Sequence, residues 1–252
     1  MGKTYEALKK SEAEKEPRPR MESIPVDGRK NPEIHWNVGA PARVEYQKIR
    51  VWLTNPAARG KRQQSVMVVS CYAGTGSTTT AALLAATLAE GKKSQVLIID
   101  SNFRTPALNM VYQVRNNGGF TEVASEGMPF EAHIQPTNRK NLYVLTSGQI
   151  ASYPAELFEG EAIDQLISQL KQRFDFIIFD AAPVLEFPDS YLLAPKVDSI
   201  ILVAEANKTR IGEAQVAKQN LERAGGRILG VVLNRQRDYT PIILKRLFGI
   251  ST

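Results

Sequence analysis

Short, almost wholly apolar runs alternate with longer amphipathic segments along most of this chain. Six such runs lie within residues 65–71, 94–100, 141–148, 174–180, 199–205 and 227–234. Segments with apolar residues at helical spacing lie between them, at 78–90, 161–174 and 212–225. Strands that are apolar throughout, with helices between them, are typical of a parallel sheet covered on both faces. The pattern therefore predicts an α/β fold with a doubly wound, mostly parallel sheet.

The start of the chain follows a different pattern. Residues 1–17 are rich in charge and predict at most a short amphipathic helix. Residues 17–41 carry prolines, glycines and mixed charge, which is typical of a linker. Apolar residues at helical spacing then predict a helix over 42–53. We divide the chain into a flexible N-terminal segment, 1–40, and one domain, 41–252.

Composition and charge narrow the functional classes. The single cysteine, Cys71, excludes a disulfide framework and a self-contained cysteine cluster for zinc, and we expect it to be a small buried residue rather than a redox switch. No apolar run reaches the roughly 18 residues that span a bilayer, and the charged start is unlike a secretory signal, so we expect a cytoplasmic protein.

The net charge is +6, and the end of the chain is basic. A basic end of this kind can contact an anionic membrane surface or nucleic acid, and it can equally be a surface that only faces solvent.

The stretch 70–81, SCYAGTGSTTTA, has the layout of a phosphate-binding loop between a strand and a helix. Gly74 and Gly76 permit the main-chain angles and the close approach that such a loop needs, so that N–H groups and the helix dipole face an anion. Thr78 lies where a hydroxyl would bind Mg²⁺, and Thr79 is able to cap the helix start. The alternative is a tight strand–helix turn without a ligand. We predict nucleotide contacts by Gly74, Thr75, Gly76, Ser77, Thr78 and Thr79.

Ser77 stands where such loops carry a lysine for the β- and γ-phosphates. Its side chain is neutral and too short to replace an ammonium group. Loss of one charge-assisted hydrogen bond costs roughly 1.5–3 kcal/mol, or about ten- to a hundredfold in binding. Because transition-state stabilisation depends on the same charge, we expect weak nucleotide binding and impaired catalysis.

Two aspartates end apolar runs: Asp100 in VLIIDSN and Asp180 in FDFIIFDAAP. In a parallel α/β sheet, the carboxyl ends of the strands converge on the edge that holds the phosphate loop. Carboxylates at that edge hold Mg²⁺ directly or through water and orient a nucleophile, although either aspartate alone could simply cap a turn. We predict catalytic and metal-binding roles for Asp100 and Asp180, with Thr78 as a third metal ligand.

Seven segments keep a specific order and spacing across residues 41–250. They read ARVEYQKIRVWL, SCYAGTGSTTTAALLAATLA, VLIIDSNFRTPALNMVY, GGFTEVASEGMPFEAHIQPT, LYVLTSGQIASYPAELF, FDFIIFDAAPVLEFPDS and ILGVVLNRQ. Together they resemble the bacterial tyrosine kinases of capsule and exopolysaccharide synthesis. That family lies within the deviant phosphate-loop ATPases, which include the chromosome-partitioning and division-site proteins.

The resemblance implies a P-loop NTPase-like fold that takes ATP or ADP with Mg²⁺ and phosphorylates tyrosine. It also implies an adenine contact by Asn234, with Arg235 beside it. As partners, it implies a transmembrane polysaccharide chain-length regulator (a co-polymerase) and further copies of the chain. The implied location is the inner face of the cell membrane, and nucleic acid is not an expected partner.

Beyond the loop, three positions depart from the family pattern. The second acidic motif has Asn102 in place of an aspartate, and the chain's tail has only Tyr239 in place of a tyrosine cluster. In the family, the helix before the domain carries a glutamate and two arginines that dock neighbouring subunits. Of these three residues, this chain keeps only Arg50. The sequence therefore predicts a degenerate kinase that regulates exopolysaccharide synthesis or export through protein contacts.

Two alternatives stay open. The first is an active kinase or ATPase whose cation comes from a partner or from another part of the chain, with candidates Lys61, Arg62, Lys92 and Lys93. The second is a positioning ATPase of the partitioning type that binds DNA through the basic end of the chain. The absence of a lysine at the start of the loop counts against the second alternative.

Overall fold

The computed structural model describes residues 40–54, 63–91, 94–149 and 154–236. Most of the predicted N-terminal segment, the four candidate cations and Tyr239 lie outside these residues. Helices and strands alternate in the described part much as the apolar runs predict. In chain order they are α1 (Ala40–Thr54), β1 (Ser65–Ser70), α2 (Ser77–Ala89), β2 (Val96–Ser101), α3 (Leu108–Tyr112), α4 (Phe120–Glu126), β3 (Gln135–Pro136), β4 (Leu142–Leu145), α5 (Glu161–Arg173), β5 (Phe176–Ala181), α6 (Asp189–Leu193), β6 (Ser199–Glu205), α7 (Ile211–Arg223) and β7 (Ile228–Asn234).

The strands form one sheet in the order β3-β4-β2-β5-β1-β6-β7. All neighbouring strands are parallel except β3, which runs antiparallel to β4 at one edge. Because β2 and β6 lie on opposite sides of β1, the right-handed crossovers place helices on both faces. The predicted doubly wound, mostly parallel sheet is therefore confirmed.

Alternate residues of each strand pack into two separate cores, one on each face of the sheet. In β1, Val66 and Val68 belong to the core beneath α2, whereas Met67 and Val69 belong to the core that includes α5 and α7. A strand buried on both faces must be apolar throughout, which is the pattern that the sequence carries. Within the described residues, no helix is long and apolar enough to cross a membrane.

Helix α2 fixes the end of the loop 70–76 against the sheet. Nine of its thirteen residues are buried, because its small alanines let it lie close to the strands while α1 covers its outer side. Helix α1 packs onto it through Leu53 and through Arg50, whose Nη1 donates to Thr87 O at 3.3 Å. The predicted apolar stripe of α1 is only partly correct, since Val44 and Trp52 are about half exposed.

Candidate nucleotide site

The loop 70–76 leaves β1 at the carboxyl edge of the sheet, and the two predicted aspartates lie at that same edge. Asp100 ends β2 and Asp180 ends β5, and the two residues are register partners on neighbouring strands. Strand β5 also pairs with β1, so Asp180 lies on the strand next to the one that enters the loop, and Asp100 lies one strand further away. The structure thus brings together the loop and both aspartates, as the parallel arrangement of the strands predicts.

The loop presents a row of unpaired main-chain donors. Six consecutive N–H groups, from Gly74 to Thr79, make no hydrogen bond of normal geometry to any residue in the described part of the chain. The first helical N–H with a partner is that of Thr80, which donates to Gly76 O at 3.0 Å. The two glycines make this possible, because Gly74 has φ +76° and Gly76 has φ +92°, both in the left-handed region. Such a row at the start of a thirteen-residue helix can hold an anion.

The side chains of the loop differ from their predicted roles in one respect. Helix α2 has Gly76 as its N-cap and no side-chain cap, so the predicted capping by Thr79 is wrong: the Thr79 side chain is exposed. Instead, the Thr80 hydroxyl donates back to Gly76 O at 2.9 Å. Ser77 is half-buried, and its hydroxyl accepts from the Ser70 hydroxyl at 3.4 Å. Ser77 therefore brings no positive charge to the row of amides.

Asp180 is a fully buried carboxylate at this edge of the sheet. Neither of its oxygens has a partner of normal hydrogen-bond geometry within the described residues. Burial, and then the negative charge of Asp100, raise its pKa well above the usual range of an aspartate. The Thr78 hydroxyl lies close enough to act in the opposite direction. A buried pair of oxygens in need of a partner is the arrangement that a bound cation would satisfy.

Asp100 is held rigidly by the main chain that follows it. Its Oδ2 accepts from the N–H groups of Ala107 and Leu108, both at 2.9 Å, and its Oδ1 accepts from Asn102 N at 3.3 Å. Burial raises the pKa of Asp100 to about 6 against the lowering effect of these three donors. Its carboxylate is therefore oriented before any ligand binds.

Asn102 and Arg104, the other two residues of this motif, serve the local structure. The Asn102 side chain accepts from Thr105 N at 3.2 Å and donates to the Thr105 hydroxyl at 3.1 Å, closing the turn after β2. The Arg104 guanidinium forms a two-pronged ion pair with buried Asp189, at 2.9 and 3.1 Å, and lies 5.0 Å from the centre of the Phe187 ring. The Arg104 guanidinium is thus already paired with a carboxylate of the protein.

Asn234 and Arg235, predicted beside the adenine, are placed at the loop by β7. Asn234 Nδ2 donates to Thr75 O at 2.8 Å, and Asn234 Oδ1 accepts from Arg235 N at 2.9 Å. The Arg235 guanidinium pairs with Glu205 at 3.0 Å. Both ends of the Asn234 amide and the Arg235 charge therefore have protein partners, and Asn234 connects β7 directly to the phosphate-binding loop.

One site residue, Glu186, was missed by the sequence reasoning. It is exposed in the turn after β5, and its Oε2 accepts from Ala73 N at 3.0 Å. Its only sequence signal is its place six residues after Asp180, which does not separate it from any surface glutamate.

Cys71, two residues before Ala73, is buried as predicted. Burial raises the pKa of its thiol to about 11, which keeps the thiol protonated.

The candidate cations of the active-kinase alternative lie outside the described residues, and the described residues next to them are at the amino ends of the strands, away from the loop. The described chain ends at Gly91 and resumes at Ser94, and both flank the far end of α2. That helix has thirteen residues, so its ends lie about 20 Å apart at 1.5 Å per residue. Gln63, where the chain resumes before β1, is likewise a whole strand away from the loop.

The donors at this edge suit a magnesium–phosphate complex better than a bare metal ion. No group of three or more histidine, cysteine or acidic side chains that could hold a metal occurs in the described residues. Asp100, Asp180 and the Thr78 hydroxyl are oxygen donors, the type that Mg²⁺ prefers, and Mg²⁺ usually completes its shell with phosphate oxygens and water. The residues present therefore fit Mg²⁺ accompanied by a phosphate chain on the loop amides.

Comparison with known proteins gives one consistent result. Residues 64–223 match the family AAA_31, an AAA domain. The tyrosine-protein kinase YwqD of Bacillus subtilis (strain 168) is 34% identical over 200 residues, which are 78% of this chain and 84% of that protein. These similarities cover the loop and both aspartates.

Solved structures extend the comparison to the fold. The chimerical protein CapA2B2 is similar at a TM-score of 0.75 and 28% identity, over 81% of this chain and 89% of that one. The septum site-determining protein MinD of Pyrococcus horikoshii OT3, solved in complex with Mg-ADP, has a TM-score of 0.58 and 25% identity, over 73% of this chain and 76% of that one. Similarity to a P-loop ATPase fold is therefore evident beyond the tyrosine kinases.

Proposed function

We propose that this chain, which belongs to the family of bacterial tyrosine-protein kinases, binds a magnesium–nucleotide complex with impaired phosphoryl transfer. It regulates the synthesis or export of a capsule or exopolysaccharide through protein contacts. The observation that carries this proposal is the row of six unpaired N–H groups beside Asp100 and Asp180, with Ser77 at the lysine position. The amides and carboxylates needed for binding are present, whereas the loop itself carries no lysine or arginine to supply the charge that efficient transfer needs.

Each residue has a distinct role in this proposal. The N–H groups of residues 74–79 hold the phosphate oxygens, and Thr78, Asp100 and Asp180 hold Mg²⁺. When bound, Mg²⁺ would neutralise charge on the phosphates. Asp100, oriented by three main-chain donors, positions the attacking hydroxyl of any residual transfer. Asn234 and Arg235 flank the adenine end of the site.

The partner and location follow from family membership. We propose a transmembrane chain-length regulator as the partner and a peripheral position at the inner face of the membrane, with the basic residues near the end of the chain facing anionic lipid. Association with further copies of the chain belongs to the same proposal. These parts are separable from nucleotide binding and need co-purification and flotation measurements of their own.

The main test combines calorimetry with a phosphotransfer assay. We expect ADP and ATP to bind weakly and only with Mg²⁺, and we expect the unaltered protein to transfer little phosphate to tyrosine with or without the partner. Ser77→Lys should tighten binding about ten- to a hundredfold, because it restores one charge-assisted hydrogen bond. Lys at an exposed position outside the site, Gln172→Lys near the end of α5, is the control for added charge and should leave nucleotide binding unchanged.

The outcomes separate the alternatives. Efficient transfer by the unaltered protein would establish an active kinase and contradict impairment. An absence of nucleotide binding, even in Ser77→Lys, would reduce the site to a structural turn. Salt-sensitive binding to DNA would favour the partitioning type of ATPase.

A further inference from the structure

The N–H group of Ala73, immediately before the six unpaired donors, is occupied by the protein itself. It donates to Glu186 Oε2 at 3.0 Å. The row of loop donors therefore begins with a position that already holds a carboxylate, an oxygen anion of the same kind as a phosphate oxygen. Any phosphate chain that extends from the six open donors towards Ala73 meets this carboxylate.

The turn that carries Glu186 is fixed to the loop by main-chain hydrogen bonds. Val184 N donates to Ser70 O at 2.8 Å, and Leu185 N donates to Cys71 O at 3.2 Å. These bonds place the following residue, Glu186, beside the loop whether or not its side chain bonds there. The main chain of Glu186 is therefore held beside the loop, and its side chain lies within reach of Ala73 N.

Among the described residues, Glu186 forms no ion pair with a cation. Arg104 pairs with Asp189, and Arg235 pairs with Glu205. With Ser77 in place of a lysine, no side chain of the loop 70–79 is positively charged either. An anion that approaches the Ala73 end of the loop therefore meets the charge of Glu186, and Ala73 N, which already donates to that carboxylate, offers it no free donor.

We infer that Glu186 makes this site selective for a nucleoside diphosphate over the corresponding triphosphate. This inference rests on the proposed function, since it concerns the same nucleotide site. A diphosphate is held by the six open donors, with Mg²⁺ on the side of Asp100 and Asp180. A triphosphate carries a further charged group that must displace Glu186 from Ala73 or lie against its carboxylate. Glu186 is thus a specificity-determining residue that favours the product state over the substrate state.

The test is titration calorimetry of the full chain with Mg-ADP and with a non-hydrolysable Mg-ATP analogue. The unaltered protein should bind the diphosphate about tenfold more tightly, which corresponds to one hydrogen bond with a charged group. Glu186→Gln keeps the size of the side chain and removes its charge, so the ratio should fall to about threefold or less through tighter triphosphate binding. Glu222→Gln, an exposed glutamate at the far end of α7, should leave the ratio unchanged.

A second variant protects the test against misfolding of the first. Glu186→Asp keeps the charge and withdraws the carboxylate from Ala73, and it should also lower the ratio, with folding of each variant checked by circular dichroism. If the unaltered protein binds both nucleotides equally, or if neither variant changes the ratio, the role of Glu186 is wrong while the nucleotide site stands. If no protein binds either nucleotide, both the inference and the proposed function fail.

Discussion

At the scale of one residue, Asp180 illustrates a conflict between ligand binding and the stability of the folded protein. A buried carboxylate normally has two or three donors, and Asp100 next to it has three. Asp180 has none of normal geometry in the described part of the chain, and it faces a second carboxylate. A residue selected for folding alone would not remain in that position, so the strain points to a ligand.

Asp180→Asn should stabilise the metal-free protein at pH 7.5 by about 1–3 kcal/mol, because it removes an unpaired buried charge. A carboxylate whose pKa is raised on folding costs stability once the pH exceeds its unfolded value of about 3.9, and the cost grows until the pH passes the folded value. The advantage of the variant should therefore vanish near pH 4. Urea unfolding in EDTA at both pH values measures this.

The exposed Glu159→Gln, whose side chain has no ion pair among the described residues, serves as the control, and we expect it to change the free energy of unfolding by less than about 0.5 kcal/mol. Destabilisation of Asp180→Asn at pH 7.5 would mean that the carboxylate has a stabilising partner in the folded protein. In that case the metal role assigned to Asp180 would lose its main structural support.

At the scale of elements, the end of β7 locks the loop that follows β1. Asn234 Nδ2 lies where a side chain on Gly76 would begin, since a Cβ there would come within 2.2 Å of it. The same nitrogen donates to Thr75 O at 2.8 Å. The glycine at position 76 is therefore required twice: for its positive φ and for the approach of a side chain from another strand.

A pair of glycine variants separates these two requirements. Gly74→Ala and Gly76→Ala both place a side chain at positive φ, which costs about 1–2 kcal/mol, but only position 76 also meets Asn234, since a Cβ at position 74 has no neighbour within 4 Å. Gly76→Ala should thus be the more destabilising by about 1 kcal/mol, the worth of the lost hydrogen bond. Chemical denaturation measures both variants.

The Asn234→Ala background completes the comparison as a double-mutant cycle. In that background, the two glycine variants should cost the same, because the obstructing amide is gone. A difference that persists without Asn234 would assign the effect to the loop's own backbone.

At the scale of the whole molecule, Asp198 ties together the edge of the sheet opposite the site. Its Oδ2 accepts from Gln64 N and Ser65 N at the start of β1, and its Oδ1 accepts from Lys171 Nζ of α5 at 2.8 Å. One carboxylate thus joins β1, α5 and the approach to β6. Burial opposes its ionisation, but Lys171 and the two amides outweigh that effect and lower its pKa.

Asp198→Asn should cost about 1–3 kcal/mol at pH 7, because it removes a charged acceptor from three donors. A lowered pKa means that the contribution is fully present above the unfolded value of about 3.9 and is lost as the pH falls through the folded value. The two proteins should therefore converge in stability at the lowest pH at which both still fold. Thermal melts from pH 7 to pH 3 follow this, and a constant difference across that range would contradict it.

The sequence by itself determined the class of sheet, the loop and the edge of the sheet at which the site lies. Strands buried on both faces must be apolar throughout, and a row of open amides needs glycines. Both features can therefore be predicted from the local pattern of residues. Asp100 and Asp180 were predictable for the same reason, because parallel strands bring their carboxyl ends to one edge. The strand order was not predictable, since every apolar run looks alike.

Only the tertiary structure decided which side chains bond to the loop. Asn234 reaches Thr75 across 159 residues of chain, and Glu186 reaches Ala73 across 113. Both side chains are ordinary polar residues at the ends of strands or in turns, and their partners are main-chain groups, which every residue possesses. The local pattern therefore carries no signal for such pairs, and they emerge only when the packing of the sheet places strand ends and turns side by side.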